Sequence, residues 1–192
     1  MKRLFVAIEI IPQPALIEKI NIIRKSSTVL DKINWIDIEN MHLTLKFLGE
    51  SHEDLIGNIE EIIKKIAQST PAFQLQLNRI GAFGSRYQPR ILWMGSYNQV
   101  TEIQTLHKKL EKNLYPLGFK PTYGNFVPHL TLARIHKIDN KKHFWKSIEQ
   151  HQNTFDFQIN INEIILFESV INKGYKPIYK KIKVFPLKVN KA

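Results

Sequence analysis

The tetrapeptide His42-Leu43-Thr44-Leu45 recurs 87 residues later as His129-Leu130-Thr131-Leu132. Each copy alternates polar and apolar residues, so on a strand His and Thr share one face while both Leu residues pack on the other. Residues i and i+2 then lie side by side. Each copy presents an imidazole next to a hydroxyl, and two copies can face each other across a cleft. Imidazole exchanges protons near neutral pH, and a pair divides the work, one as base and the other as acid. Threonine hydroxyls donate hydrogen bonds to an anionic oxygen held between them. The set suits in-line displacement at phosphorus without a metal. A single His-x-Thr is ordinarily just a partly buried histidine satisfied by a neighbour, but a matched pair reverses those odds. Two histidines with a carboxylate form a known metal-ligand set, yet neither motif contains Asp or Glu, and Thr stands at i+2. Metal is therefore the minority reading. His52, His107, His136, His143 and His151 fall in helix or turn contexts without repeated surroundings and receive no role.

The elements that must hold these motifs follow from hydrophobic periodicity. Leu4 to Ile10 reads as a first strand. Glu9 and Pro12 interrupt it too soon for a signal peptide, and no window is long enough to span a membrane. Pro12 and Pro14 open a helix with Leu16, Ile17, Ile20 and Ile23 on one stripe. Ser51 and Asp54 resemble a capping box ahead of a second helix carrying Leu55, Ile56, Ile59, Ile62, Ile63 and Ile66. A third stripe, Val100, Ile103, Leu106, Leu110 and Leu114, ends before Pro116 and Gly118, and a fourth surrounds Phe144, Trp145 and Ile148. Phe73, Leu75 and Leu77 alternate with polar neighbours, as do Phe155, Phe157, Ile159 and Ile161, the pattern of half-buried antiparallel strands. Arg90 to Gly95 and Ile178 to Leu187 also read as extended. Strands follow one another as often as helices intervene, so α+β is expected rather than a doubly wound parallel sheet.

The chain of 192 residues is 43% hydrophobic and contains no cysteine. It is long enough to bury one full core, so the expectation is a single domain spanning 1–192. Lack of cysteine excludes a disulfide scaffold, a thiol enzyme and a Cys-ligated metal protein, and fits a cytoplasmic location. The formal net charge of +11 suits a polyanionic partner such as RNA. Compositional drift competes evenly with that reading, because the excess is carried by lysine. Two segments read either as functional loops or as plain hairpin connections: Gly81 to Pro89 and Asn172 to Pro177. Each mixes glycine, an aromatic and a cation that could stack on a base and touch a phosphate.

Taken together, several blocks resemble the 2H phosphoesterases, in particular the RNA 2′,3′-cyclic phosphodiesterases also called 2′-5′ RNA ligases. They are Arg3 to Ile8, His42 to Gly49, Pro89 to Trp93, Pro128 to Arg134, Phe167-Glu168-Ser169 and Gly174-Tyr175. The resemblance implies a bilobed α+β fold of two pseudo-symmetric antiparallel sheets flanked by helices, with the two His-x-Thr strands facing across a central cleft. It implies metal-independent opening of RNA 2′,3′-cyclic phosphate ends to 2′-phosphomonoesters, with reversible ATP-independent 2′-5′ ligation as a further activity, and no cofactor. His42 and His129 are carried over as catalytic residues, and Thr44 and Thr131 as substrate-binding residues.

To leave phosphate on the 2′ oxygen, the 3′ oxygen must depart protonated while a water opposite is deprotonated, and His42 is assigned as acid and His129 as base. Arg134 is a candidate phosphate contact, although strict alternation puts it on the Leu130 and Leu132 side. The same arithmetic puts Lys46 on the His42 face as a solvated strand end and Phe47 on the core side. Where relatives commonly carry arginine after Glu-Ser, this chain has Val170, so substrate length and base preference are open. The alternatives are a phosphodiesterase of small nucleotide cyclic phosphates or 2′-5′ oligonucleotides, and a non-catalytic RNA-binding module. The implied partner is RNA with cyclic phosphate ends, with no membrane and no metal, and a monomer is the default for this size.

Overall fold

The structure, a computed structural model, describes residues 1–96, 101–152, 156–171 and 176–189. Its first strand, β1 (Lys2–Glu9), lacks polar alternation because both of its faces are covered. Leu4, Val6 and Ile8 enter the main core, whereas Phe5 and Ala7 pack with Ile165 and Phe167 in a second apolar cluster on the opposite face. Helix α1 (Pro14–Lys25) buries Leu16, Ile20 and Ile23, as its periodicity requires. A short β2 (Lys32–Trp35) precedes β3 (His42–Ser51). Then come α2 (Ile56–Gln68), β4 (Phe73–Leu77), β5 (Arg79–Gly84), β6 (Pro89–Gly95) and α3 (Thr101–Leu114). The second motif opens β7 (His129–Lys137), followed by α4 (Lys141–His151), β8 (Phe157–Ile161), β9 (Glu163–Val170) and β10 (Ile178–Pro186).

The fold is α+β with antiparallel strand pairing throughout its named ladders. Two four-stranded halves, β10-β9-β1-β3 and β2-β7-β6-β5, meet through one residue pair, Leu43 with Leu130. The junction therefore lies inside the two motifs. A separate two-stranded ladder joins β4 to β8, pairing Phe73 with Ile161, Leu75 with Ile159 and Leu77 with Phe157. Those are the alternating apolar residues of the two segments expected to be half-buried strands. Val100 and Phe155 lie outside the described residues.

One local expectation fails. Ser51 does not cap α2: it is still paired with Lys2 in the sheet, its hydroxyl donates to the Gly49 carbonyl at 3.2 Å, and a 3₁₀ turn over Glu53–Leu55 leads into the helix instead. Sheet pairing and burial outcompeted the local cap.

The decisive irregularity is a bulge that occurs twice. In β3 the register pairs Ala7 with Thr44 but Val6 with Lys46, so Leu45 is an extra residue. In β7 it pairs Trp93 with Thr131 but Leu92 with Ala133, so Leu132 is extra. Both bulges sit on the fourth residue of the motif. A bulge puts two residues against one on the partner strand and reverses the in-out phase beyond it. Accordingly His42 to Phe47 and His129 to Arg134 share one burial sequence: half-buried, buried, half-buried, buried, buried, exposed.

This reversal corrects two expectations. Lys46 is in the core, not at a solvated strand end, with its Nζ 2.6 Å from Glu111 Oε2 and 3.0 Å from the Lys120 carbonyl. Phe47 is not on the core side but 62% exposed and turned to the His42 face. The slip that flips them also brings Arg134 to the His129 face, which resolves its apparent wrong phase.

Candidate active site

The two motif strands line one cleft of about 590 Å³. His42, Thr44, His129, Thr131 and Arg134 all face it, so every residue singled out from the sequence is brought together there. Leu43, Leu45, Leu130 and Leu132 are fully buried behind them.

The imidazoles are held alike. His42 Nδ1–H donates to the carbonyl of Asn40 at 2.7 Å, and His129 Nδ1–H donates to the carbonyl of Val127 at 2.7 Å. A carbonyl only accepts, so Nδ1 carries the hydrogen and Nε2 is the nitrogen left for chemistry. Aromatic edges set the ring planes. Tyr179 meets His42 at 4.9 Å and 81°, and Phe83 meets His129 at 4.8 Å and 88°. Phe5 stands 5.2 Å from His42, and Trp93 stands 6.4 Å from His129. Trp93 is held closely over Gly81, where a Cβ would come within 2.6 Å of its Cζ2.

Both histidines are held below the ordinary imidazole value of 6.5. Burial is the main cause for each, and the Arg134 guanidinium adds to it, while the carbonyl hydrogen bonds pull the other way. His129 also depresses His42. Burial pushes the Tyr179 hydroxyl up, so it stays a neutral donor, although Arg134 and Arg3 oppose that shift. Arg3 and Arg134 are the cleft's cations, and none of its lining residues is Asp or Glu. Among the described residues the Thr44 and Thr131 hydroxyls have no hydrogen-bond partner and Arg134 has no carboxylate partner. A cleft with those donors and no competing carboxylate favours an anion.

A sequence profile describing the 2′-5′ RNA ligase superfamily matches residues 33–170, a span that contains both motifs. The chain belongs to the 2′-5′ RNA ligase superfamily. Among the relatives of this superfamily member is a protein of Methanocaldococcus jannaschii named RNA 2′,3′-cyclic phosphodiesterase. It is 33% identical over 151 residues, which cover 79% of this chain and 83% of that protein. One of the same name from Archaeoglobus fulgidus is 28% identical and covers 95% of this chain and 99% of its own. Solved structures share the fold. A Thermus thermophilus protein superposes with a TM-score of 0.79 at 19% identity, covering 98% of this chain and 100% of that one. Escherichia coli LigT complexed with 3′-AMP gives 0.74 at 24% identity, covering 97% and 98%.

Within this superfamily member, some cleft residues escaped the sequence reading: Phe5, Phe47 and Tyr179. Phe47 has a readable signal in retrospect, since the slip needed to bring Arg134 into phase, applied to the first copy, delivers Phe47 to the same place. His107, given no role, ties the two motifs together. Its Nδ1–H donates to the carbonyl of the bulged Leu45 at 2.8 Å, and its ring stacks on Phe126 at 3.9 Å and 10°. Phe126 directly precedes Val127, whose carbonyl holds His129. His136 is in β7 rather than a helix or turn, 3.1 Å from the Asn34 amide. Gly81 to Gly84 belong to β5, so only Ser85 to Gln88 form the connection expected over Gly81 to Pro89. Asn172 to Tyr175, with the Gly174-Tyr175 pair, lie outside the described residues. Lys176 in that segment pairs with Asp37 at 2.7 Å. No helix among the described residues is long and apolar enough to cross a membrane.

Proposed function

We propose that this chain opens 2′,3′-cyclic phosphates at RNA ends to 2′-phosphomonoesters by acid-base catalysis between His42 and His129, with no metal. The observation that carries the reading is the matched tethering of the two rings, which leaves one Nε2 from each motif beside a free Thr hydroxyl and Arg134. His129 Nε2 takes a proton from water as the oxygen attacks phosphorus. The bond from phosphorus to the 3′ oxygen breaks on the opposite side, and His42 Nε2–H gives its proton to that oxygen. Thr44, Thr131 and Arg134 hold the non-bridging oxygens, where charge builds in the transition state. A 5′-hydroxyl in place of water gives a 2′-5′ linkage by the same steps. The 28–33% identity to proteins named RNA 2′,3′-cyclic phosphodiesterase supports RNA as the substrate class.

The test is a short RNA ending in a 2′,3′-cyclic phosphate, incubated with enzyme in chelator, with the product identified. A 2′-phosphomonoester is expected at an undiminished rate. Loss of all turnover in chelator sinks the metal-free mechanism, and a 3′-phosphomonoester sinks the assigned geometry.

The pH profile is the second expected outcome. The competent free enzyme has one imidazole neutral and the other protonated, so kcat/KM is bell-shaped and peaks midway between their two values. Both are lowered from 6.5, which places the peak below 6.5. A bound anionic phosphate favours the protonated acid, so the kcat profile moves to higher pH. A kcat/KM optimum above neutrality contradicts the assignment.

A further inference from the structure

Beyond the cleft, the edge strand β5 leads towards a second set of depressions. Phe83, which stands against His129, lies near the end of β5, and the turn Ser85 to Gln88 carries the hairpin to the N-terminal half of α4. Two depressions follow there, of about 310 and 510 Å³, and they share Arg86, Trp145 and Glu149. The smaller is lined by Trp93, whose ring stacks on Phe83 at 5.2 Å. That ring pair therefore stands between the depression and the cleft. The larger adds Tyr87, Lys141, Lys142 and Lys146.

Several features of this strip suit a polyanion. The hairpin tip is fixed in place, since Trp145 Nε1–H donates to the Arg86 carbonyl at 2.9 Å. In the larger depression four cations stand against one acid, Glu149, whose contact with Arg86 is a loose 3.8 Å between exposed groups. Among the described residues none of the three lysines has a carboxylate partner. Lys141 and Lys142 occupy the first turn of α4, which has no acidic residue. Positive charge there opposes the helix dipole, so these lysines do nothing for the helix until an anion joins them. Tyr87, 83% exposed at the tip, offers an open ring face beside the cations. Cations that follow a backbone, with aromatics between them, are how single-stranded nucleic acid is held without sequence preference.

We propose that this strip binds single-stranded RNA away from its reacting end, with phosphates on Arg86, Lys141, Lys142 and Lys146 and a base stacked on Tyr87. The proposal rests on the reading that an RNA end occupies the cleft, and adds the path of the rest of the strand. Phe83 and Tyr87 are four residues apart, at most about 13 Å at roughly 3.3 Å per residue. A strand of several nucleotides therefore reaches both, whereas a dinucleotide has a single phosphate besides its reacting one and cannot occupy the four cations together.

The test compares a dinucleotide and a single-stranded RNA of about fifteen nucleotides, both ending in a cyclic phosphate. The variants are Lys141→Gln/Lys142→Gln/Lys146→Gln and a control, Lys64→Gln/Lys65→Gln/Lys112→Gln, which removes the same charge from α2 and α3. The ratio of kcat/KM for the longer RNA to that for the dinucleotide should fall about tenfold in the first variant, through KM, and hold in the control. The slope of log affinity against log salt should shrink by about 2, at roughly 0.7 per single-strand phosphate contact. Anisotropy with a 3′-hydroxyl RNA of the same length measures binding without turnover and should show the same loss. If wild type opens neither substrate while binding still falls in the first variant, the cleft reading fails and the strip stands. If wild type turns over both and the first variant matches it on the longer RNA, or the control loses as much, the strip is overturned.

Discussion

Replacing His42 or His129 with alanine lowers kcat for cyclic phosphate opening by a factor of about 10²–10⁴, the range general acid-base groups supply. The two losses do not add, because each proton transfer depends on the other, so the double variant is little slower than the worse single one. Folding is not the cause of the loss, since both rings lie in a cleft and their truncation opens no core. A substrate with sulfur in place of the 3′ oxygen separates the roles. A thiolate leaves without a proton, a free thiol having a pKa near 8.5, so this substrate restores His42→Ala towards wild type and leaves His129→Ala slow. Rescue of His129→Ala instead exchanges the two roles. Full activity in either variant with the ordinary substrate ends the two-histidine mechanism.

Lys46→Met costs about 3 kcal/mol of stability, the low end of the range for removing one partner of a buried ion pair. The Lys46 side chain is 0% exposed and Glu111 13% exposed, so the lysine's loss strands a carboxylate with little access to water. The low end applies because Glu111 keeps other partners, the Thr122 amide at 3.3 Å and hydroxyl at 2.8 Å. Burial pushes the Glu111 carboxyl up, but the hydrogen bonds from Lys46 and Thr122 outweigh it and hold the group below 4.5. A carboxylate lowered in the folded state contributes stability above its unfolded pKa and loses it as pH falls through the folded one. The difference between wild type and Lys46→Met, read from urea midpoints, should therefore be full at neutral pH and narrow below about pH 4. Adding Glu111→Gln to Lys46→Met should recover part of the loss by removing the stranded charge. A single variant as stable as wild type would show that the pair contributes nothing.

Much of the site was legible because period-two patterning and chemical type coincide at the motifs. His42, Thr44, His129 and Thr131 face one cleft because Leu43, Leu45, Leu130 and Leu132 have nowhere else to go. The β4 and β8 pairing was legible for the same reason, its apolar residues meeting one for one. What alternation cannot report is a slip in its own phase. The bulges at Leu45 and Leu132 leave no mark in composition, so Lys46 and Phe47 were read onto the wrong faces and Arg134 looked out of step. Ser51 shows a second limit, since its hydroxyl fits a helix cap equally well until the long-range pairing with Lys2 is known. The hairpin strand β5 was hidden by its two glycines, one of which makes room for the Trp93 ring.

The doubled bulge gives matching positions in the two halves different occupants, an exposed phenyl ring at Phe47 and a guanidinium at Arg134. A cleft with perfect twofold symmetry would be blind to orientation, because turning the bound nucleotide by half a revolution would exchange one imidazole for the other and leave the chemistry unchanged. An apolar ring on one flank and a cation on the other make the two orientations unequal in energy. Under the proposed reaction, that inequality would favour one orientation of the bound nucleotide, and with it one of the two ribose oxygens beside His42, a preference that two equivalent histidines alone could not create.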